Sequence, residues 1–271
     1  MTNLHTHTTY SDGADSIEET VKAAIAKGFS GIGISDHSVA PLGLYPGVED
    51  GTLSAYTAEI RAAARKFGGL IEVYAGLENE YCNPLKAGGL DYVIGSVHYL
   101  KFGGGAEIYY CVDGTPEEFD EMLAEMFGGD CDKLARRYYG DVADMAASQR
   151  PDIIGHLDVI TKFNGGGRLF DTQSGEYTRA VKEALDAISR TDCAIEINTG
   201  GMARGYTKQP YPEWHILEEI LKMGLPVVIA SDSHCAGHLD FAFAETVKRL
   251  RGMGFKSARR LVGGRFEDAG L

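Results

Sequence analysis

Nine side chains of metal-ligating type recur at related positions along this 271-residue chain. They are His5 and His7 in His-Thr-His, Asp12 in Ser-Asp-Gly, His37 after Ser35-Asp36, Glu78 in Gly-Leu-Glu, His98 in Gly-Ser-Val-His, His156 in Gly-His-Leu-Asp, and Asp232 and His234 in Ser-Asp-Ser-His. Imidazole nitrogens and carboxylate oxygens are the donors that zinc, iron or manganese accept. His-x-His on an extended segment turns both rings to one side, because side chains alternate with a period of two. Nine donors exceed what one ion takes. Two or three divalent ions about 3.5–4 Å apart, bridged by a carboxylate, would use them all. Taken singly, each histidine fits a core position or a helix cap as well, and Ser-Asp-Gly and Ser-Asp-Ser fit plain turns. The joint placement is what points to metal. Asp158 suits supporting a ligand or capping a helix better than direct ligation. His215, beside Trp214 in a helical window, suits packing or the surface, and His238 suits a substrate contact and a solvated position equally.

The elements that must position these groups follow a βα rhythm. Apolar, β-branched runs end at Leu4, Ser35, Ala75, Val97, Gly155, Asn198 and Ala230, and helical patterns occupy 16–27, 54–67, 117–127, 132–148, 175–190, 213–223 and 241–252. Ser16 with Glu19 makes a capping box, and Gly28 and Gly224 mark helix stops. Seven strands alternating with helices predict an α/β fold, a TIM-like (β/α) barrel of seven strands forming one domain over 1–271. The longest connection, 99–150, carries two helical patterns and the run Gly103-Gly-Gly and is expected to elaborate one rim. In such a barrel the residues just past the strands' C-terminal ends converge on one mouth. Six of the eight histidines fall there. The sixth strand ends instead in Asn198 and leads to Arg204.

Composition excludes other classes. The chain has 26 basic and 39 acidic residues, a net charge of −13, with no basic block to neutralise a nucleic-acid backbone. The same charge is repelled by an anionic membrane. Apolar runs of membrane-spanning length and a signal-peptide pattern are absent, so a cytoplasmic protein is expected. Five scattered cysteines (Cys82, Cys111, Cys131, Cys193, Cys235) without Cys-x-x-Cys argue for a reducing compartment and against a disulfide framework. There is no Walker loop, no strand-following Gly-x-Gly-x-x-Gly and no Gly-x-Ser-x-Gly elbow. No sequence feature specifies an oligomeric state.

In order and wording these motifs resemble those of the polymerase-and-histidinol-phosphatase (PHP) family, over nearly the whole chain. Asp91-Tyr-Val-Ile-Gly-Ser-Val-His98, Asp152-Ile-Ile-Gly-His-Leu-Asp-Val-Ile-Thr-Lys-Phe163 and Glu196-Ile-Asn-Thr-Gly-Gly-Met-Ala-Arg204, with Tyr211-Pro212 following, are most similar to its bacterial histidinol-phosphate phosphatase branch. The resemblance implies a distorted (β/α)7 barrel with three divalent metal ions at the mouth. His5, His7, Glu78 and Asp232 would hold one ion, Glu78 would bridge to a second held by His98 and His156, and Asp12, His37 and His234 would hold the third. The branch often has an arginine around Thr161-Lys162-Phe163. Here Lys162, or Arg168 after the glycine turn, would take its place.

The implied activity is metal-dependent hydrolysis of a phosphate monoester, L-histidinol phosphate foremost, by a metal-bridged hydroxide. A chain of −13 repels a phosphate dianion unless positive charge is concentrated locally. Three divalent ions with one hydroxide would bring that total to about −8. Arg204 suits a planar phosphate contact, with Lys162 and His238 as further substrate contacts. Asp12 or His234, or else His238, would assist the leaving alkoxide. An acidic, aromatic rim including Glu80, Tyr81, Tyr99 and residues of 99–150 would suit the substrate's ammonium and imidazole. A PHP phosphoesterase acting on nucleotides or sugar phosphates would instead need basic or stacking rim residues, which are few. A metal-binding accessory module would not need a complete ligand set, and a metal-dependent amide hydrolase would leave Arg204 without a role.

Overall fold

Apolar side chains every third or fourth residue give each long helix one buried stripe. In the helix Gly175–Ile188 the stripe is Tyr177, Ala180, Val181, Ala184, Leu185 and Ile188, and the Ser174 hydroxyl caps its start by accepting from Tyr177 N. The computed structural model describes residues 1–86, 88–103 and 107–271. In chain order the elements are β1 (Thr2–Asn3), α1 (Ile17–Ala26), β2 (Gly31–Ile34), α2 (Leu53–Phe67), β3 (Glu72–Ala75), β4 (Glu78–Glu80), β5 (Ile94–Ser96), β6 (Tyr99–Phe102), β7 (Ile108–Cys111), α3 (Pro116–Phe127), α4 (Cys131–Ser148) and β8 (Ile153–Ile154). There follow α5 (Gly175–Ile188), β9 (Ala194–Asn198), α6 (Gly200–Ala203), α7 (Trp214–Met223), β10 (Val227–Ala230), α8 (Phe243–Met253), β11 (Ser257–Val262) and β12 (Arg265–Gly270). All seven expected helices are present within two residues of their expected ends. The Ser16–Glu19 capping box forms, and Gly28 and Gly224 take the left-handed conformation just past α1 and α7.

The fold is α/β with parallel strands. These fall into two short-stranded sheets, β1-β2-β3 and β10-β9-β8-β5-β4. The expected third strand, ending at Ala75, is β3, and a further short strand, β4, follows Gly76-Leu77 and joins the other sheet. Isolated parallel bridges, Thr6 with Ser233 and His37 with Glu78, continue the pairing beyond the regular ladders. Helices α1 and α2 cover one sheet through Val21, Tyr56 and Ile60 against Ile32 and Val73. Helices α4, α5 and α7 cover the other through Tyr138, Leu185 and Ile220 against Ile195 and Ile197.

Between the strands a third cluster holds Leu4, Tyr92, Ile94, Ile153, Ala194, Val228 and Leu261. Tyr92 explains two glycines. Its hydroxyl donates to Leu4 O at 2.5 Å, and a Cβ at Gly33 or Gly76 would lie within 2.2 Å of its ring or hydroxyl. Two hairpins were not anticipated. The antiparallel hairpin β6–β7 lies in the 99–150 connection, whose expected glycine run falls in part (104–105) outside the described residues. The hairpin β11–β12 docks at the N-terminal ends of the strands, where Gly263 N donates to Glu72 Oε1 at 3.0 Å and Arg259 Nη1 to Asp192 O at 2.9 Å. All five cysteines are free thiols. Among the described residues no helix is long and apolar enough to cross a membrane.

Candidate metal centre

The nine ligand-type side chains meet at the C-terminal ends of the parallel strands. Just past β1, His5 and His7 turn inward and are buried, with ring centroids 5.1 Å apart. Thr6 between them turns the other way and donates to Gly33 O at 2.6 Å. Asp12 sits in a tight turn. Gly13 is obligatory there because a Cβ would fall 2.4 Å from the His7 carbonyl. Asp36 orders the same turn by accepting from Thr8 N (2.7 Å), Thr8 Oγ1 (2.8 Å), Ser11 N (3.1 Å) and Ser11 Oγ (2.7 Å). His37 follows β2, Glu78 opens β4, and His98 and His156 follow β5 and β8. Asp232 and His234 follow β10, and Asp232 is held at a φ of 47°, a conformation L-residues rarely adopt and that active sites often retain.

Glu78 is the hub. Its Oε2 lies 2.8 Å from His37 Nδ1, 3.2 Å from His5 Nε2 and 3.5 Å from His7 Nε2. Its Oε1 lies 2.9 Å from His156 Nε2 and 3.4 Å from His98 Nε2, and those two nitrogens are 3.1 Å apart. Asp232 Oδ1 lies 3.1 Å from His7 Nε2, and His234 Nε2 lies 3.1 Å from Asp12 Oδ2. Three sets of donor atoms each fall within 4.8 Å of one another: His5, His7 and Asp232; His37, Glu78 and His98; and His7, Asp12, His37 and His234. His5 Nε2, both His7 ring nitrogens and Glu78 Oε2 are buried without hydrogen-bond partners. Each such orphan costs about 1–3 kcal/mol. Close, inward-facing lone pairs that do not bond one another are what a shared divalent cation would satisfy, and this donor set fits one of the zinc, iron or manganese kind.

The electrostatics agree. Burial pushes the Glu78 carboxyl up, but the charges of His5, His37 and His98 and a hydrogen bond from His156 hold it well below the usual carboxylate range. Burial and repulsion by His234 and His37 lower His7 to about 3, leaving a neutral imidazole able to ligate. Asp232 is likewise held far down by Arg204 and His5 against its burial. The ligands differ in exposure. The side chains of Asp12, His37 and His234 are 23%, 22% and 26% exposed, whereas the others are at most 10% exposed, so these three face the open cavity.

That cavity, about 760 Å³, is walled by Tyr45, Tyr99, Tyr109, Tyr110, Tyr206 and Tyr211, with Glu80, Asp113, Glu118 and Glu121. Arg204 lines it, donating Nη2 to Asp232 Oδ2 at 2.9 Å and Nη1 to Asp232 O at 3.1 Å. Lys162 also lines it, but its ammonium is engaged: it donates to Asp113 O, lies 3.6 Å from Asp113 Oδ2 and sits 4.7 Å over the Tyr206 ring. Burial opposes the Asp113 charge, but His98, Lys162 and His156 pull its carboxyl down to about 2. His238 and Arg168 are placed elsewhere. His238 ends a short turn against Phe241, and Arg168 pairs with Asp120 on the surface. Asp158 supports no ligand; it accepts from Glu213 N at the start of α7 at 2.9 Å. His215 pairs with Glu213 at 3.2 Å.

Two carboxylates matter more than their sequence context suggested. Glu80 is not free at the rim: it is buried behind His98, 3.1 Å from its Nδ1 and its backbone N. Glu196, fully buried on β9, lies 2.6 Å from His5 Nδ1 and accepts from His156 N at 2.7 Å. The alternation of Glu196 with Ile195 and Ile197 was the available signal. It puts this carboxylate on the opposite face of the strand from those two isoleucines.

Known proteins of this build are similar along most of their length. A "Probable histidinol-phosphatase" of Deinococcus radiodurans is 33% identical over 249 residues, covering 87% of this chain and 86% of its own. The Bacillus subtilis histidinol-phosphatase is 26% identical over 273 residues, covering 90% and 97%. The crystal structure of Lactococcus lactis histidinol phosphate phosphatase, complexed with zinc, L-histidinol and phosphate, superposes with a TM-score of 0.74 at 21% identity, covering 98% of each chain. A PHP domain model matches residues 3–200, and the chain belongs to the PHP family.

Proposed function

We propose that this chain hydrolyses L-histidinol phosphate to L-histidinol and phosphate. The observation that carries the reading is the two-sided cavity: a floor of nine converging metal-type ligands beside Arg204, and a wall of tyrosines and carboxylates. The floor suits a phosphate dianion. The wall suits a flat, cationic remainder, which an imidazole with a primary ammonium provides and a nucleotide or sugar does not. The named activities of the D. radiodurans and B. subtilis relatives support it.

Three divalent ions are assigned to the nine ligands, with His5, His7, Glu78 and Asp232 on one, Glu78, His98 and His156 on the second, and Asp12, His37 and His234 on the third. Bound there, they would supply Lewis acidity, offsetting the dianion's charge and lowering the pKa of a water toward neutrality. Arg204 would present a guanidinium edge to the phosphoryl oxygens while anchored on Asp232. Asp12 and His234, paired and open to the cavity at the third ion position, would assist the departure of the leaving alkoxide. Lys162, tied to Asp113, would contact the substrate at the border between floor and wall. His238 receives no such role.

The scaffold is assigned as a single distorted (β/α)7 barrel over 1–271, with 99–150 as its rim elaboration. The Thr6–Ser233 bridge supports it by linking the β1 and β10 edges of the two parallel sheets, and the His37–Glu78 bridge carries the pairing of β2 on to the start of β4. A cytoplasmic location and a small-molecule partner, with no nucleic acid, complete the reading. Comparing kcat/KM for histidinol phosphate and nucleoside monophosphates tests it.

A further inference from the structure

We infer that Glu196 is a positioning residue that sets two metal ligands at once, one in each of two ion positions. The inference rests on the metal-centre reading above. Glu196 stands on β9 between Ile195 and Ile197 and is completely buried. A carboxylate there is costly unless its oxygens are paired, and they are. Oε1 lies 2.6 Å from His5 Nδ1, while Oε2 accepts from His156 N at 2.7 Å and from Asn198 Nδ2 at 3.0 Å. An ionised carboxylate only accepts, so the hydrogen in the first contact belongs to His5 Nδ1.

That hydrogen fixes the tautomer. Nε2 is then the nitrogen available to ligate: it faces Glu78 Oε2 and Asp232 Oδ1, at 3.2 and 3.7 Å, and has no hydrogen-bond partner. The second oxygen acts through the backbone. Holding His156 N sets where the His156 ring leaves β8, and Gly155 beside it has no room for adjustment, since a Cβ would lie 2.3 Å from Ser96 Oγ. The His156 ring then meets Glu78 Oε1 and His98 Nε2 at 2.9 and 3.1 Å. His5 and His156 belong to different ions in the proposed set. One carboxylate therefore ties the β1 ligand to the β8 ligand, and its loss should loosen two ions together. Glu80 is the internal contrast: of the nine ligand-type residues it contacts His98, through ring and backbone, while its other oxygen accepts from Cys82 N and Sγ.

The test is zinc titration of chelator-stripped protein, read by competition with a chromophoric chelator and by elemental analysis, for wild type, Glu196→Gln and Glu80→Gln. Glu196→Gln is expected to weaken two zinc sites by about 10–100-fold each, and Glu80→Gln only one. Unchanged affinities in Glu196→Gln, or weakening of a single site, overturns the inference. A measurement on unmutated protein guards against misfolding of the variant: in the zinc-loaded wild type, long-range 1H–15N correlation of the His5 ring should show Nδ1 protonated and Nε2 bound. A zinc-bound Nδ1 overturns it. If the wild type takes up no zinc, the metal-centre reading fails first and the inference with it. If the wild type loads normally while Glu196→Gln is indistinguishable from it, the inference alone fails.

Discussion

Arg204 Nη1 lies 2.9 Å from His234 Nδ1 while its Nη2 donates to Asp232 Oδ2 at 2.9 Å, so one guanidinium locks two ligands of the centre to each other. His234 Nδ1 also lies 3.0 Å from Asp232 O, which can only accept, while its Nε2 faces Asp12 Oδ2 at 3.1 Å. Arg204→Ala should lower kcat/KM by about 10²–10³-fold, the usual cost of one donor at a developing charge. It should also weaken inhibition by inorganic phosphate. Arg204→Lys should recover only part, since an ammonium lacks the planar fork. Steady-state kinetics with phosphate as inhibitor checks this; an Arg204→Ala enzyme within twofold of wild type would confine Arg204 to bracing Asp232.

Glu78 stands within 3.5 Å of ring nitrogens from five histidines, which places it at the centre of the cluster. Glu78→Gln replaces a bridging anion with a neutral amide and should strip metal from the centre. The expected loss of activity exceeds the roughly 10–100-fold typical of groups that only orient a ligand. Elemental analysis after gel filtration checks it. Full metal stoichiometry in Glu78→Gln would contradict the bridging role.

Asp158 couples stability to pH. Burial, with the Glu213 charge adding to it and the Glu213 N–H and His215 opposing it, raises its carboxyl to about 8. Between the ordinary aspartate range near 3.9 and pH 8 the folded chain keeps a proton that the unfolded chain has released. This group's contribution therefore falls as pH rises through that window, by at most about 1.4 kcal/mol per pH unit. Asp158→Asn removes the coupling. Urea unfolding at pH 5 and pH 8 should find Asp158→Asn gaining on wild type at the higher pH. A pH-independent difference between the two proteins would contradict it.

Gly76 lets the third strand pass beneath Tyr92, with a Cβ there placed 2.2 Å from the ring. Gly76→Ala should cost about 1–3 kcal/mol through overpacking, seen as a lower melting temperature. An unchanged melting temperature would mean that Tyr92 has room to move.

The convergence of the nine side chains was legible because donors of metal-ligating type stand out at the ends of apolar runs. His5 and His7 share a side through the period of a strand, and the remaining ligands follow apolar runs that have few readings other than a parallel strand. Helix ends such as Ser16–Glu19 and Gly224 were legible because capping is local. Other features depend on what touches what. Glu196 and Glu80 look like ordinary carboxylates until His5 and His98 are seen against them, and Asp36 until the 8–12 turn closes on it. Lys162 read as a free cation because the sequence does not show Asp113 folding back from the β6–β7 hairpin. That hairpin escaped notice because the run Gly103-Gly104-Gly105 interrupts the alternation of its sequence. The β11–β12 hairpin was hidden by its charged residues, Arg259, Arg260, Glu267 and Asp268, although Gly263-Gly264, both left-handed, was its turn signal.

On the function proposed, this floor and this wall together select a phosphate monoester with a cationic, aromatic remainder. The direct measurement is kcat/KM of the metal-reconstituted protein on L-histidinol phosphate beside nucleoside monophosphates and sugar phosphates. A preference for histidinol phosphate of at least about a hundredfold is expected, about 2.7 kcal/mol of differential transition-state binding. Equal rates, or a preference for a nucleotide or sugar phosphate, would contradict it.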